Sequence, residues 1–187
     1  MMLKDIAQLL LTEIERQGAS LLAIDGRCAS GKTSLAAHLA GLRDCSVIHM
    51  DHFFLRPEQR TAERMQQAGG NVDYERFQAE VLLPLQKGQA FSYRPWDCHK
   101  QEMGAPVLIP PKALMIVEGS YSCHPVLNGY YDLSVFLSVD AAEQIRRIRQ
   151  RNGADNVQMF QERWIPMEER YFQSFRIQET CDLRFQT

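Results

Sequence analysis

The chain has 187 residues, of which 45% are hydrophobic and 24% charged, and its formal net charge is −2. That length carries one sizeable domain rather than two, and the near-neutral charge gives no global electrostatic reason to expect a nucleic acid or a membrane as partner. The five cysteines, Cys28, Cys45, Cys98, Cys123 and Cys181, show no paired C-x-x-C spacing, which argues against a disulfide framework and a zinc site and suits reduced thiols in the cytoplasm.

Met2 to Gln17 reads as an amphipathic helix, with Leu3, Ile6, Leu9, Leu10 and Ile14 at helical spacing. Asp5, Glu13 and Glu15 interrupt it, so it is not a signal peptide. No stretch approaches the roughly 18 apolar residues needed to span a bilayer. Ser20 to Asp25 is a short apolar run suited to a strand buried on both faces. A Gly-containing loop follows, and then Lys32 to Leu42 has helical periodicity. Ser46 to Met50 predicts a second strand that ends at Asp51. The polar stretch from His52 to Asn71 predicts a loop with helical pieces, and Tyr74 to Gln86 a helix.

Phe91–Tyr93 and Val107–Ile109 could pair as a small hairpin around Pro95 and Gly104. Ala113 to Val117 is the third buried strand, closed by Glu118, and Leu133 to Val139 the fourth. Ala141 to Arg151 predicts an arginine-rich helix. Val157 to Gln178 predicts a second helical stretch, bent or restarted at Pro166. Leu183 to Phe185 reads as a last strand. Apolar strands alternating with helices mean an α/β fold with a parallel sheet covered on both faces. No repeat or linker divides the chain, so residues 1–187 read as a single domain.

Gly26-Arg-Cys-Ala-Ser-Gly31-Lys32-Thr33 fits G-x-x-x-x-G-K-[ST], between a predicted strand and a predicted helix. Glycine lets such a loop wrap so that successive backbone N–H groups face one anion, and the helix start adds its positive dipole end. Gly26, Ala29, Ser30, Gly31, Lys32, Thr33 and Ser34 are therefore the expected ATP-binding residues. Lys32 reaches for the terminal phosphates, and the Thr33 hydroxyl for Mg²⁺.

Neither N-K-x-D nor D-x-x-G follows in the right place, which argues against a GTPase reading. Asp51 and Glu118 both end strands, and strand C-terminal ends face the ligand crevice in a parallel sheet. Asp51 is placed to accept or orient the proton of an attacking hydroxyl. Glu118 is placed to hold Mg²⁺, directly or through water. The arginine helix, leading into Gly153–Asn156, is suited to a lid over about residues 147–163, with Arg147 and Arg151 as the preferred catalytic pair. His49, His52 and His124 have no metal spacing and read as structural or peripheral.

The pieces IDGRCASGKTSLAAHL, HMDHFF, GGNVDYERF, FSYRPWDCH, MIVEGSYS and CDLRF occur in this order. Together they resemble the uridine kinase and phosphoribulokinase group of P-loop kinases, from about Leu21 to Asp182. The resemblance implies a five-stranded parallel sheet of order 2-3-1-4-5 with helices on both faces. It makes Asp51 the base for a ribose 5′-hydroxyl and Asp73 an acid that grips ribose hydroxyls. Phe54 stands where the group has a tyrosine. The Tyr93 to His99 segment, with Trp96, matches a hairpin that packs against a nucleobase, and Glu118 the magnesium-associated acid.

The expected activity is transfer of the γ-phosphoryl group of ATP to a ribonucleoside such as uridine or cytidine. Nicotinamide riboside, pantothenate or a sugar are alternative acceptors, and a non-catalytic ATP-binding regulator is an alternative of another class. Neither nucleic acid nor membrane is an expected partner, and a homo-oligomer stays open.

Overall fold

The computed structural model describes residues 1–187. Five strands form one parallel sheet: β1 (Leu21–Gly26), β2 (Cys45–His49), β3 (Leu114–Glu118), β4 (Leu133–Ser138) and β5 (Leu183–Gln186). Their order across the sheet is β2-β3-β1-β4-β5, the expected 2-3-1-4-5.

Each central strand is mainly apolar because both of its faces are covered. Leu22, Ile24, Ile116, Val135 and Leu137 point to one side and join Ile6, Leu10 and Ile14 of helix α1 (Leu3–Gln17) and Leu35 and Leu39 of helix α2 (Lys32–Leu42). Ala23, Ile48, Met115, Val117 and Phe136 point to the other side and pack with Phe53, Phe77, Val81, Tyr171 and Phe172. Helix α1 stops at Gly18, whose left-handed φ of 66° lets the chain turn back into β1.

Beyond β2 the chain enters a tight 3₁₀ turn, Met50–Phe53, and a loop with short helical pieces at Pro57–Gln59 and Ala62–Gln66. Helical segments Tyr74–Phe77 and Leu83–Gln86 flank a π-turn at Gln78–Leu82. The predicted hairpin forms in two stages. Phe91–Tyr93 pairs with Val107–Ile109, and Trp96–Asp97 pairs with Glu102–Met103 nearer the tip. At the kink between them, the Arg94 guanidinium donates to the carbonyls of Met103 and Gly104 at 3.0 and 2.8 Å.

The arginine helix spans Ala141–Asn152, N-capped by Asp140. A turn leads to Val157–Met159, a π-turn at Phe160–Trp164 and helix Ile165–Phe175. Pro166 lies in the first turn of that last helix. Its missing N–H explains why α-helical bonding restarts there, as the sequence suggested. No helix is long and apolar enough to cross a membrane.

Candidate active site

The C-terminal ends of β1, β2 and β3 open into a cleft of about 1360 Å³. The loop between β1 and α2 forms its floor. Gly26 has φ +136°, and a Cβ there would lie 2.0 Å from the Leu137 carbonyl oxygen of β4, so no side chain fits. Ala29 and Gly31 also take positive φ values, 58° and 95°, as the backbone curls into the start of α2.

The loop is held from three sides. Gln144 donates to the Cys28 carbonyl at 3.0 Å, Thr187 to the Ser30 carbonyl at 3.0 Å, and the Cys28 N–H to Glu168 at 2.9 Å. Lys32 is folded over the loop and donates to the carbonyls of Gly26 and Arg27 at 2.7 and 2.9 Å.

Below Lys32, the Thr33 hydroxyl donates to Glu118 at 3.1–3.2 Å. Both groups offer hard oxygen donors of the kind Mg²⁺ prefers, and they lie side by side in the cleft wall. The residues present therefore fit a magnesium ion. His49 is the register partner of Glu118 on the neighbouring strand, and its Nδ1 lies 2.5 Å from a Glu118 oxygen. That bond pushes the His49 pKa up. The sequence offered no sign of this contact, because strand register is a tertiary fact.

Asp51 follows β2 in the 3₁₀ turn and lines the cleft. Its side chain is exposed to the cleft, whose walls remove part of its hydration. Desolvation pushes its carboxyl above the usual carboxylate range, Lys32 opposes the shift, and Glu118 adds to it. Gly119, next to Glu118, makes room for this arrangement. A Cβ there would meet Met50 Cβ at 2.8 Å and an Asp51 oxygen at 3.3 Å.

Two further acids, not singled out by the sequence, organise the floor. Asp25 is fully buried at the end of β1 and accepts from the N–H groups of Gly26, Tyr121 and Cys123 and from the Tyr171 hydroxyl. Glu168 accepts from Ser120 Oγ at 2.6 Å as well as from Cys28. Burial pushes both pKa values up, while Lys32 pulls both down.

On the opposite wall, Arg147 and Arg151 both line the cleft. Arg147 donates to the Ala29 carbonyl at 3.2 Å and the Thr187 hydroxyl at 2.9 Å, and it pairs with Glu143. Arg151 reaches Cys28 Sγ at 3.5 Å. Arg163 lines the cleft as well, its guanidinium over the Trp164 ring.

The residues expected at the acceptor separate into two groups. Asp51, Phe54 and His99 line the cleft together. Asp73, Tyr93 and Trp96 do not line it. Asp73 caps the helical turn at Tyr74 and accepts from Arg76 N and from Gln59 Nε2 at 2.7 Å. Tyr93 is packed against Phe53, its hydroxyl 3.0 Å from His52 Nδ1, and burial pushes its pKa up to about 12. Trp96 is 7% exposed and borders a smaller cavity of about 400 Å³ beside Asp51. Arg60 and Asn71, which the sequence did not mark, line the main cleft instead.

No protein-family model matches the chain, and no curated protein matches it closely. Solved structures do. A possible uridine kinase from Bacillus stearothermophilus superposes with a TM-score of 0.75 at 22% identity, covering 99% of this chain and 100% of that one. A candidate fructose transport system kinase from Silicibacter sp. TM1040 gives 0.69 at 23% identity, covering 99% of each chain. YFH7 from Saccharomyces cerevisiae, described as a candidate P-loop kinase with a circular permutation, gives 0.68 at 10% identity over 100% of this chain and 99% of that one. At these identities the likeness is one of fold: a five-stranded parallel sheet with helices on both faces.

Proposed function

We propose that this protein is an ATP-dependent kinase that phosphorylates a hydroxyl group of a small molecule. One observation carries the reading: Lys32, Thr33, Glu118 and Asp51 converge in one cleft. A wrapped glycine loop with a lysine serves a triphosphate. A carboxylate beside it with no hydrogen-bond partner from the protein serves an attacking hydroxyl.

In this reading Lys32 exchanges its loop carbonyls for the β- and γ-phosphate oxygens. Thr33 and Glu118 would hold a magnesium ion, which would supply charge neutralisation for the phosphates. Asp51 takes the proton from the acceptor hydroxyl as its oxygen bonds to the γ-phosphorus. Arg147 and Arg151 stabilise charge on the transferring group and shield it from water. Such a reaction asks the protein for positioning and charge more than for covalent chemistry.

The first acceptor to test is the 5′-hydroxyl of a ribonucleoside such as uridine or cytidine, on the resemblance noted above. A second reading, a sugar or a hydroxy acid such as pantothenate, is favoured by the burial of Tyr93 and Trp96, which removes both rings from the cleft wall. Nicotinamide riboside belongs to the same test. The experiment is ADP release from Mg-ATP against these compounds and a no-acceptor blank. Acceptor-dependent release supports the kinase. Release equal to the blank throughout, with ATP still bound, moves the assignment to a nucleotide-binding regulator.

A further inference from the structure

We infer that Arg60 and Asn71 form a subsite for an acceptor that carries an oxyanion, a carboxylate or a phosphate, together with a second hydroxyl. The inference rests on the kinase reading and names the class of its acceptor.

Asn71 is only 6% exposed, yet it lines the cleft that holds Asp51. Its Oδ1 has no hydrogen-bond partner in the protein. A buried acceptor left unsatisfied costs about 1–3 kcal/mol, and folded proteins hold few of them. Its backbone is pinned, because the Asn71 carbonyl accepts the Leu55 N–H at 3.0 Å. The Asn71 side chain borders the cleft with its amide beside the Tyr121 hydroxyl, and its unpaired oxygen, enclosed in the ligand-free protein, is the acceptor that a ligand hydroxyl satisfies when the amide turns toward it.

Arg60 docks on the same residue, Leu55, through its carbonyl. Its Nε donates to the Leu55 carbonyl at 3.0 Å, and its two terminal nitrogens have no protein partner. The neighbouring arginines differ: Arg56 pairs with Glu58, Arg64 with Glu75, and Arg76 with Glu80 and Asp73. Arg60 alone among these four lacks a carboxylate, and it alone lines the cleft. Gln59 fixes the turn before it through the bond to Asp73. That bond gives Asp73 a positioning role at one remove from the ligand.

A guanidinium fork matches a carboxylate or phosphate with two parallel bonds. Asp51 and Glu118 would repel such an anion from this end of the cleft unless a cation received it. A neutral nucleoside leaves the Arg60 fork empty. An acceptor with an oxyanion fills the fork, satisfies Asn71 with one hydroxyl and presents another to Asp51. In the transfer, the acceptor oxygen bonds to the γ-phosphorus, the bond from that phosphorus to the β–γ bridging oxygen breaks, ADP leaves, and the proton passes to Asp51.

The test uses matched acceptors in the ADP-release assay: glycerol, glycerate and glycerol 3-phosphate; ribose and ribose 5-phosphate; panthenol and pantothenate; and uridine. The expected result is an anionic member preferred over its neutral partner by at least about tenfold in kcat/KM. Whether glycerate and pantothenate or the phosphate esters respond identifies the oxyanion. Arg60→Gln should raise the acceptor KM about tenfold or more, leave the KM for ATP within about twofold, and erase the preference. Arg60→Lys, which keeps the charge without the fork, should fall between.

Direct titration of each acid and ester into the protein without ATP reads the subsite independently of turnover. Wild type should bind one of them at least about tenfold more tightly than Arg60→Gln. Equal binding to both proteins, preference for uridine, or a rise confined to the KM for ATP would overturn the subsite. Absence of ADP release with every acceptor, alongside Arg60-dependent binding, would overturn the kinase reading and leave the subsite standing.

Discussion

Gly119→Ala is a demanding perturbation because its consequences follow from two geometric features. The residue has φ +139°, a conformation L side chains rarely adopt, and the added Cβ would lie 2.8 Å from Met50 Cβ and 3.3 Å from an Asp51 oxygen. Backbone strain at such a position costs about 1–3 kcal/mol, and forcing atoms into a packed contact about 1–3 more. A loss of about 3 kcal/mol would lower the melting temperature by roughly 6–12 °C for a domain of this size. Because Met50 begins the turn that carries Asp51, the carboxylate must give by a few tenths of an ångström. Turnover should then fall at least about tenfold, given that a 1 Å misplacement can cost about a hundredfold. Gly129→Ala is the control, since nothing lies within 4 Å of its Cβ and its φ is ordinary. Urea and thermal unfolding read the stability, and ADP release reads the turnover. A Gly119→Ala protein that melts within about 2 °C of wild type and turns over normally would refute the claim that the missing side chain of Gly119 makes room for Met50 and Asp51.

Three other perturbations probe separate parts of the site. Asp51→Asn should keep ATP binding and lose at least about a hundredfold in turnover. Since the Asp51 pKa is raised, kcat/KM should fall as pH drops through a value above the ordinary aspartate range, and unchanged turnover in the variant would remove Asp51 from the mechanism. Glu168→Gln can keep both of its bonds, accepting from the Cys28 N–H and donating to Ser120 Oγ, while removing a negative charge near Lys32. It should fold normally and bind ATP more tightly, and weaker binding by calorimetry would show that the charge itself is needed. His124 is stacked on Tyr74 at 4.4 Å between ring centroids, and burial lowers its pKa from 6.5 to about 4. The unfolded chain binds that proton more readily, so stability is fully present above the unfolded value and is lost as pH falls from 6.5 toward 4. His124→Phe should flatten that part of the urea-midpoint profile, and an unchanged slope would assign it to other groups.

The fold was readable because its main signals are local. Buried parallel strands need apolar runs, and a phosphate loop needs glycines where the backbone wraps; Gly26 shows why, with β4 at 2.0 Å from any Cβ. Asp51 and Glu118 were readable because they end such runs. The acceptor wall was less readable. Tyr93 and Trp96 look alike as stacking faces or as core, and only the packing of Phe53 and the hairpin kink decides where the rings go. Arg60 and Asn71 acquire their character from what they lack, a carboxylate in one case and a donor in the other, and a missing partner has no signature in sequence. The His49 contact with Glu118 depends on the β2–β3 register.

The charges at this sheet end also explain why its parts come from such distant segments. Asp25, Asp51 and Glu168 each feel Lys32 as an opposing charge, and Glu118 adds a further carboxylate beside Thr33. One lysine among four acids makes a poor anion site by itself. The wrapped loop contributes backbone N–H groups, which carry no counter-charge to desolvate. The arginine helix supplies Arg147 and Arg151 from the far wall, braced against Ala29 and Cys28 of the same loop. The acids remain useful because each has a separate task. Asp25 and Glu168 hold backbone in place, Glu118 faces the Thr33 hydroxyl, and Asp51 alone is left in the cleft without a hydrogen-bond partner from the protein. In the proposed kinase reading, that unpartnered carboxylate is the one of the four left to receive a proton.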